Sequence, residues 1–582
     1  MKKRLLALFL ALLTLILCAC GGEKAPAVTT EPHEHVFDQR NTDEKYLRST
    51  ATCKSTNRYY LSCVCGAAGE GTFGDGEKID HVFDEKIADS KHLCTEATCT
   101  SGALYYLTCS VCNKASSELT FASGNPKAHS YTEKRPDGKY IKTEATASAA
   151  ATYYKSCTCG AIGTEEFTYG EKLRTYTEAE KEALTPISLT VSLYDSKEMI
   201  YGFTCNSVGQ PLRPVIELVG GGETIVSPAK VDKYTSYDAN DNVITYYVMK
   251  FEAKLKPSTD YTYRIYDMYA KTEGVTDTIT TVDSAKESFT FTHIGDTQTS
   301  GGAGGTILNK LLDDILKNND FIVHTGDFVE WSKYEHEWTA MLDDNFGKIN
   351  KIPVMAVSGN HETSYQNGTN ETFKHFNYNI PEQTTEKGFF YSFEYGNVKF
   401  VMVNTNQLKS NKLTADQYSY LVNELASNKQ DWLVVALHNP LYSPGPWGSD
   451  SSRNQISLSL RSQLNDLFVK YGVDVVLQGH DHVVSRTFAS GKGGEVLDEE
   501  TVKHDGIEYV VDPDGVIYVM SGVAGNHFRN LSDIDRTLYK YLLNTDTQYW
   551  TEITVEGNRM TFNLKRWDKG QAVVYRSWGI EK

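Results

Sequence analysis

The sequence predicts a multidomain chain. Its C-terminal part reads as an α/β domain, a β-sandwich flanked by helices, preceded by an all-β domain and by small β-rich Cys/His repeats. Three observations carry this prediction. At 582 residues the chain exceeds the roughly 250–300 at which one hydrophobic core stops growing. Between 289 and 482, five apolar strand-like runs each stop at a polar or small residue and are followed at once by a side chain able to bind a hard or borderline metal. Open α/β sheets put ligands at the carboxyl ends of their strands in this way. Between 35 and 170, a unit opened by histidine recurs at intervals of 46 and 48 residues.

At the amino end, Lys2-Lys3-Arg4 precedes an apolar run from Leu5 to Cys18, short for a bilayer span and typical of a secretory signal. It closes with Leu17-Cys18-Ala19-Cys20-Gly21, which resembles a bacterial lipoprotein lipobox. The resemblance implies removal of 1–19, lipid attachment at Cys20 and an extracytoplasmic, membrane-anchored protein; an ordinary cleaved signal peptide is the alternative. Residues 20–34 have the composition of a flexible tether.

The repeats are expected at 35–80, 81–128 and 129–170. They open with His35-Val-Phe37, His81-Val-Phe83 and His129-Ser-Tyr131, and continue through Ala-Thr, a tyrosine pair and a late cysteine pair. The first carries Cys53, Cys63 and Cys65, the second Cys99, Cys109 and Cys112. In the third, Ala147 replaces the first cysteine while Cys157 and Cys159 remain, which reads as a sign that the full set is dispensable. One histidine and three cysteines per repeat suit a structural zinc, which small modules with little core need; disulfides suit an exported protein equally well. A stalk, or a module for a cell-surface ligand, is the expected role. Cys94 and Cys205 receive no assignment.

Residues 171–185 form a charged, helix-favouring connector, and 186–285 a β domain with alternating runs at 188–193, 200–204, 215–219 and 246–251. From 286 to 582, helical patterns at 307–316, 418–425 and 458–468 alternate with the ligand-bearing strands, and 516–520, 550–555 and 560–564 read as closing strands. The glycine-rich 300–305 lacks the Lys-Ser/Thr of a phosphate-cradling loop and reads as a mobile loop. The 439–447 loop and Arg453 are expected to face a substrate.

The five strand ends deliver Asp296 with Gln298, Asp327, Asn360 with His361, His438, and His480 with His482. A bridging carboxylate with imidazoles and a few oxygens around it suits a pair of divalent ions, manganese, iron, zinc or magnesium. Such a pair, about 3.5–4 Å apart, clamps the attacking and leaving oxygens of a displacement and acidifies a water. Asp327 is the expected bridge. One ion takes Asp296, Asp327, His482 and Gln298, the other Asp327, Asn360, His438 and His480. His361, beside a ligand yet not one itself, suits a general acid. His293, His324, His336, Glu330 and Trp331 are expected to pack around the site.

In order and spacing, Gly-Asp296, Gly-Asp327, Gly-Asn360-His361-Glu362, His438 and Gly-His480-Asp-His482 resemble the motif set of calcineurin-like metallophosphoesterases, in the purple acid phosphatase-like branch. The resemblance covers roughly 186–582. It implies hydrolysis of a phosphate-ester substrate, and a fibronectin III-like domain over 186–285, whose phrase Leu255-Lys-Pro257-Ser-Thr-Asp260-Tyr261 is similar to the late strand of that domain. Two positions depart from it. Glu330 stands where purple acid phosphatases have a ligand tyrosine, and Gln298 where many relatives have histidine, so a colourless site of divalent ions is expected. The formal charge of −17 and a pI near 5.4 leave no basic stripe for nucleic acid. The rival expectation is a surface adhesion or scaffold protein whose phosphatase-like domain no longer turns over.

Overall fold

The computed structural model describes residues 34–299, 303–363, 371–381, 389–449 and 455–582. The signal-like segment, Cys20, the tether up to 33 and Arg453 lie outside them. The chain divides into two compact units, residues up to 87 with 107–116, and 88–106 with 117–582.

In the first unit, Leu47–Ser49, Asn57–Ser62 and Ala68–Asp75 form an antiparallel sheet. Tyr59 stacks on Phe73 with ring centroids 5.7 Å apart, and little else apolar is buried there beyond Tyr46, Cys63 and Cys109. The cysteine positions correct the sequence reading. Cys53 does not lie with His35, Cys63 and Cys65 of its own repeat but with His81, Cys109 and Cys112. In the second unit, Cys99 likewise lies with His129, Cys157 and Cys159. The cause is strand length: Asn57–Ser62 runs between Cys53 and the Cys63–Cys65 pair, and a strand of six residues spans about 20 Å. No disulfide joins the described cysteines.

The second unit holds the third repeat, a sheet of Ile141–Thr143, Ala151–Ser156 and Ile162–Tyr169. It is tied to the following domain by an ion pair from Arg213 to Glu144 at 2.9 Å and by the Ala145 amide donating to Tyr269 at 2.7 Å. The connector is helical only over Glu178–Glu182. Two four-stranded antiparallel sheets follow, in the orders 187–195, 200–207, 243–254, 230–237 and 223–228, 214–220, 260–267, 275–280. They share a buried core in which Phe203 meets Tyr263 at 5.4 Å. Cys205 is part of that core.

The larger domain is built on two sheets. The first, of eight strands, runs Val354–Ala356, Phe321–His324, Ser288–Ile294, Tyr549–Glu556, Arg559–Asp568, Gln571–Glu581, Ile507–Val511, Thr501–His504. The second, of seven, runs Tyr391–Tyr395, Val398–Val403, Trp432–Leu437, Val475–Gln478, Ile517–Ser521, Val484–Thr487, Tyr539–Leu543. Aromatic side chains join the inner faces, with Phe400 edge-on to Phe291 at 5.2 Å and to Phe321 at 5.6 Å. Helices Ala415–Ala426 and Gln455–Lys470 cover the second sheet through Leu421, Leu425, Leu460 and Leu464. Gly304 and Gly305 are not loop, as expected, but the first turn of helix Gly304–Ile315. The Ile307–Leu316 periodicity had already implied that helix, which buries Leu308, Leu311, Leu312 and Ile315.

Each sheet has a parallel core. Residues 288–294, 321–324 and 354–356 pair parallel in the first, and 398–403, 432–437, 475–478 and 517–521 in the second. The carboxyl ends of both sets therefore deliver their next residues to one place.

Candidate metal centre

Three loops leave the first sheet and two leave the second, and their side chains converge. Asp327, His438 and His480 place one donor atom each within 4.8 Å of one another, and so do Asp296, Asp327 and His482. Asp327 is common to both groups, the position assigned to it as a bridge.

The backbone has to bend sharply to do this. Asp296, Asp327, His480 and His482 all adopt positive φ, at 56°, 57°, 77° and 54°. L-residues rarely occupy this region, at a cost of order 1–3 kcal/mol each, and such residues cluster where geometry serves function. The glycines before the ligands have a different reason. A Cβ on Gly359 would stand 2.0 Å from Asp327 Oδ1, and one on Gly326 would stand 2.5 Å from the Gly359 amide nitrogen. The two loops cross too closely for any side chain there.

Hydrogen bonds settle which atoms face inward. His438 Nδ1 lies 2.7 Å from the Thr325 carbonyl, so that nitrogen carries the proton and donates. Its Nε2 then points at Asn360 Oδ1 at 2.9 Å, His480 Nδ1 at 3.1 Å and Asp327 Oδ2 at 3.3 Å. His482 Nδ1 donates to the His527 carbonyl at 2.6 Å, leaving Nε2 3.2 Å from Asp296 Oδ1. Donor atoms thus gather at two points, an arrangement that suits a cation at each. Gln298 adds to this: its Oε1 is buried without a hydrogen-bond partner, while its Nε2 lies 3.3 Å from Asp327 and 3.4 Å from His482. Turning the amide over would present the oxygen to the group formed by Asp296, Asp327 and His482. The residues present therefore fit two metal ions.

The electrostatics agree. Burial opposes ionisation of Asp327, yet the facing imidazoles of His438 and His361 hold it well below the usual carboxylate range. Burial likewise opposes the charged form of His438, and the Asp327 carboxylate outweighs it and raises the imidazole to about 9. A proton and a metal ion compete for the same lone pair.

His361 lies beside this cluster. Its amide donates to Asp327 Oδ1 at 2.9 Å, its Nδ1 donates to the Glu330 carbonyl at 2.7 Å, and its Nε2 stands 3.8 Å from Asp327 Oδ2. Against burial, the Asp327 carboxylate raises its pKa above the ordinary histidine value. The Glu330 carboxylate is turned to His527 Nε2 at 3.1 Å.

Four residues in working positions were not given roles from the sequence. Glu362 is fully buried and accepts the amides of Asp327 at 2.9 Å, Phe328 at 2.9 Å and Gly359 at 2.7 Å, so it ties the two crossing loops together. Asp481, between the two histidines, takes the Ser443 hydroxyl and the Trp447 amide, which holds the Trp447 ring 4.8 Å from that of His480. His527 and Arg529 come from a loop after the last parallel strand, with Arg529 Nη1 3.6 Å from Asp481. The cleft over the cluster has a volume of about 420 Å³ and is walled by His361, Asn439, Trp447, His527 and Arg529. Of the residues expected around the site, His293 and His324 are wholly buried, His293 bonding Ser521 and Thr325 and His324 stacking on Phe328.

Comparison with known proteins places this geometry. Residues 289–484 match the family model for calcineurin-like phosphoesterases, so the chain contains a domain of that family. Among curated proteins, it is 29% identical over 200 residues to purple acid phosphatase 23 of Arabidopsis thaliana, covering 33% of this chain and 38% of the relative. It is 27% identical over 288 residues to probable inactive purple acid phosphatase 24 of the same plant, covering 46% and 44%. The chain thus spans less than half the length of these relatives. A solved purple acid phosphatase from yellow lupin (Lupinus luteus) seeds shares the fold, with a TM-score of 0.58 at 19% identity over 74% of this chain and 80% of that one.

Proposed function

We propose that this chain is an exported, metal-dependent phosphoesterase, with the two donor groups around Asp327 as its reaction centre. The observation that carries the reading is the gathering of donor atoms from Asp296, Asp327 and His482 at one point and from Asp327, His438 and His480 at another, with Asn360 Oδ1 beside the second and the Gln298 amide beside the first. When bound, two divalent ions supply Lewis acidity and charge neutralisation to an anionic ester. The chain's own residues do the rest. Asp327 holds both positions in one frame, and the carbonyls of Thr325 and His527 fix the tautomers of His438 and His482. His361 presents Nε2–H to the cleft as a proton donor to the leaving oxygen, with Glu330 O securing its other nitrogen. Arg529 also lines the cleft, where an anionic substrate needs a cation.

The donor set separates this reading from that of a non-catalytic scaffold, although three of the relatives carry the name of a probable inactive purple acid phosphatase. The ions are divalent and the protein colourless: the Glu330 carboxylate occupies the place of the charge-transfer tyrosine and is engaged by His527. Purified protein should lose hydrolysis of phosphate esters to a chelator and regain it with manganese, magnesium, zinc or ferrous iron. Asp327→Asn should lack activity and hold less metal. Full turnover by Asp327→Asn, or an active preparation with a strong visible band, would contradict the assignment.

The domain at 186–285 is read as fibronectin III-like and 286–582 as the phosphoesterase domain. Cys20 is read as the site of a diacylglyceryl anchor, on the strength of Leu17-Cys18-Ala19-Cys20. Cys20→Ala should leave the membrane fraction or remain unprocessed, and unchanged fatty-acid labelling of that variant would remove the anchor.

A further inference from the structure

The N-terminal repeats carry histidines and cysteines that the reaction centre does not use, and the structure groups them across repeat boundaries. We propose that the repeats are joined by structural zinc ions, each held by one thiolate from a repeat and a His-Cys-Cys set from its successor. This rests on the repeats alone and is independent of the chemistry at the phosphoesterase centre.

The ligand atoms are already gathered. Cys53 Sγ is 3.6 Å from Cys109 Sγ, and Cys112 Sγ is 3.2 Å from His81 Nδ1. In the next group, Cys99 Sγ is 3.4 Å from Cys157 Sγ, and Cys159 Sγ is 3.3 Å from His129 Nδ1. With zinc–sulfur bonds of about 2.3 Å and zinc–nitrogen bonds of about 2.0 Å, a tetrahedral ion holds its ligand atoms roughly 3.5–3.8 Å apart. A disulfide would use only two of the four and leave a thiol facing an imidazole. Both groups offer the same donors, three cysteine sulfurs and one imidazole nitrogen. Each imidazole is set by an aromatic neighbour two residues on, His81 against Phe83 at 5.8 Å and His129 against Tyr131 at 5.7 Å, which gives the His-x-aromatic opening a purpose. Binding sends the three thiol protons to solvent as the thiolates take up the ion.

The arrangement also accounts for both ends of the array. The forward thiol sits in a turn in which a threonine hydroxyl accepts from the amide three residues on: Thr52 from Ser55 at 3.1 Å, Thr98 from Ser101 at 3.0 Å. Thr146 makes the same turn with Ala149 at 3.1 Å, but Ala147 occupies the thiol position and is exposed. No fourth repeat follows it, so no thiol is needed. This replaces the reading of Ala147 as evidence that the set is dispensable. At the other end, His35, Cys63 and Cys65 form a three-ligand group, with Cys65 Sγ 3.4 Å from His35 Nδ1. Residues 1–34 contain no earlier copy of the turn. Among the described residues that group offers three donors where the other two offer four, so it holds zinc less firmly.

The test is thiol labelling with peptide mass mapping, on the full chain loaded with zinc. In the unaltered protein, Cys53, Cys99, Cys109, Cys112, Cys157 and Cys159 should resist alkylation, while a mild chelator should expose Cys63 and Cys65 first. Cys53→Ser should lose about one zinc per chain and open Cys109 and Cys112 to the label, with Cys63 and Cys65 unchanged. Ala147→Cys should add no zinc, and its new thiol should label freely. If Cys53→Ser instead exposes Cys63 and Cys65, the sites lie within repeats and the proposal fails. It also fails if unreduced protein shows a Cys53–Cys109 or Cys99–Cys157 disulfide. Should Cys53→Ser not accumulate, Ala147→Cys and the unaltered protein still decide.

Discussion

His361 is held at both ends of its residue, by its amide on Asp327 and its Nδ1 on the Glu330 carbonyl, yet belongs to neither donor group. That separates its role from metal retention. His361→Ala should keep both ions by elemental analysis and lose roughly 10²–10⁴ in kcat, the usual contribution of a positioned acid. A variant that stays fully active, or one that loses metal, would exclude the role. The donor residues were legible in the sequence because each follows its strand within four residues, so local pattern and chemistry coincide. Glu362, Asp481, His527 and Arg529 were not. A carboxylate that clamps two crossing loops through three amides leaves no periodic mark, and the loop bearing His527 and Arg529 reaches the cleft only when the sheets close.

The elements show a similar division. Strands with both faces buried, such as Phe321–His324 and Trp432–Leu437, are continuous apolar runs and were read directly. Glu223–Pro228 and Lys230–Tyr237 were missed because they are half exposed and rich in threonine, serine and charge, so their alternation is weak. No pattern announced the contact between the preceding β domain and helix Glu335–Leu342. Buried Glu335 accepts from Ser188 Oγ at 2.9 Å, Asn206 Nδ2 at 2.9 Å and Tyr234 OH at 2.8 Å, and pairs with His375 Nε2 at 3.1 Å. Three of these four partners belong to the preceding β domain. Glu335→Ala should therefore destabilise both domains together, by about 3–5 kcal/mol in denaturant unfolding, since it strands four polar groups. Two separate transitions, with only one shifted, would show that the domains unfold independently. Burial works against the carboxylate, but His375 prevails and lowers its pKa in the folded chain below the ordinary 4.5. The stability it contributes is thus complete above 4.5 and is lost as pH falls through the lower folded value.

At the scale of the molecule, the third repeat is part of the second unit, seated by Glu144 on Arg213 and by Tyr269. Removing 35–128 should leave turnover of a small soluble ester unchanged, because none of those residues lines the cleft. A fall in kcat/KM would reject a purely positional role for them. The sheet order carries a further consequence, for the time at which the centre can form. Strand Ser288–Ile294, which leads into Asp296, lies between Phe321–His324 and Tyr549–Glu556, and the hydroxyls of Thr290 and Thr554 meet across 264 positions of sequence. During synthesis, the first ligand strand emerges when half the chain has been made and waits, open along one edge, until almost all of it is complete. Contacts of such sequence separation are slow to form, so an unfinished or truncated chain ending before 549 has an unpaired edge instead of a reaction centre. The reaction centre therefore forms only once synthesis has passed Tyr549–Glu556, so that assembly of the sheet itself delays the chemistry until the chain is nearly finished.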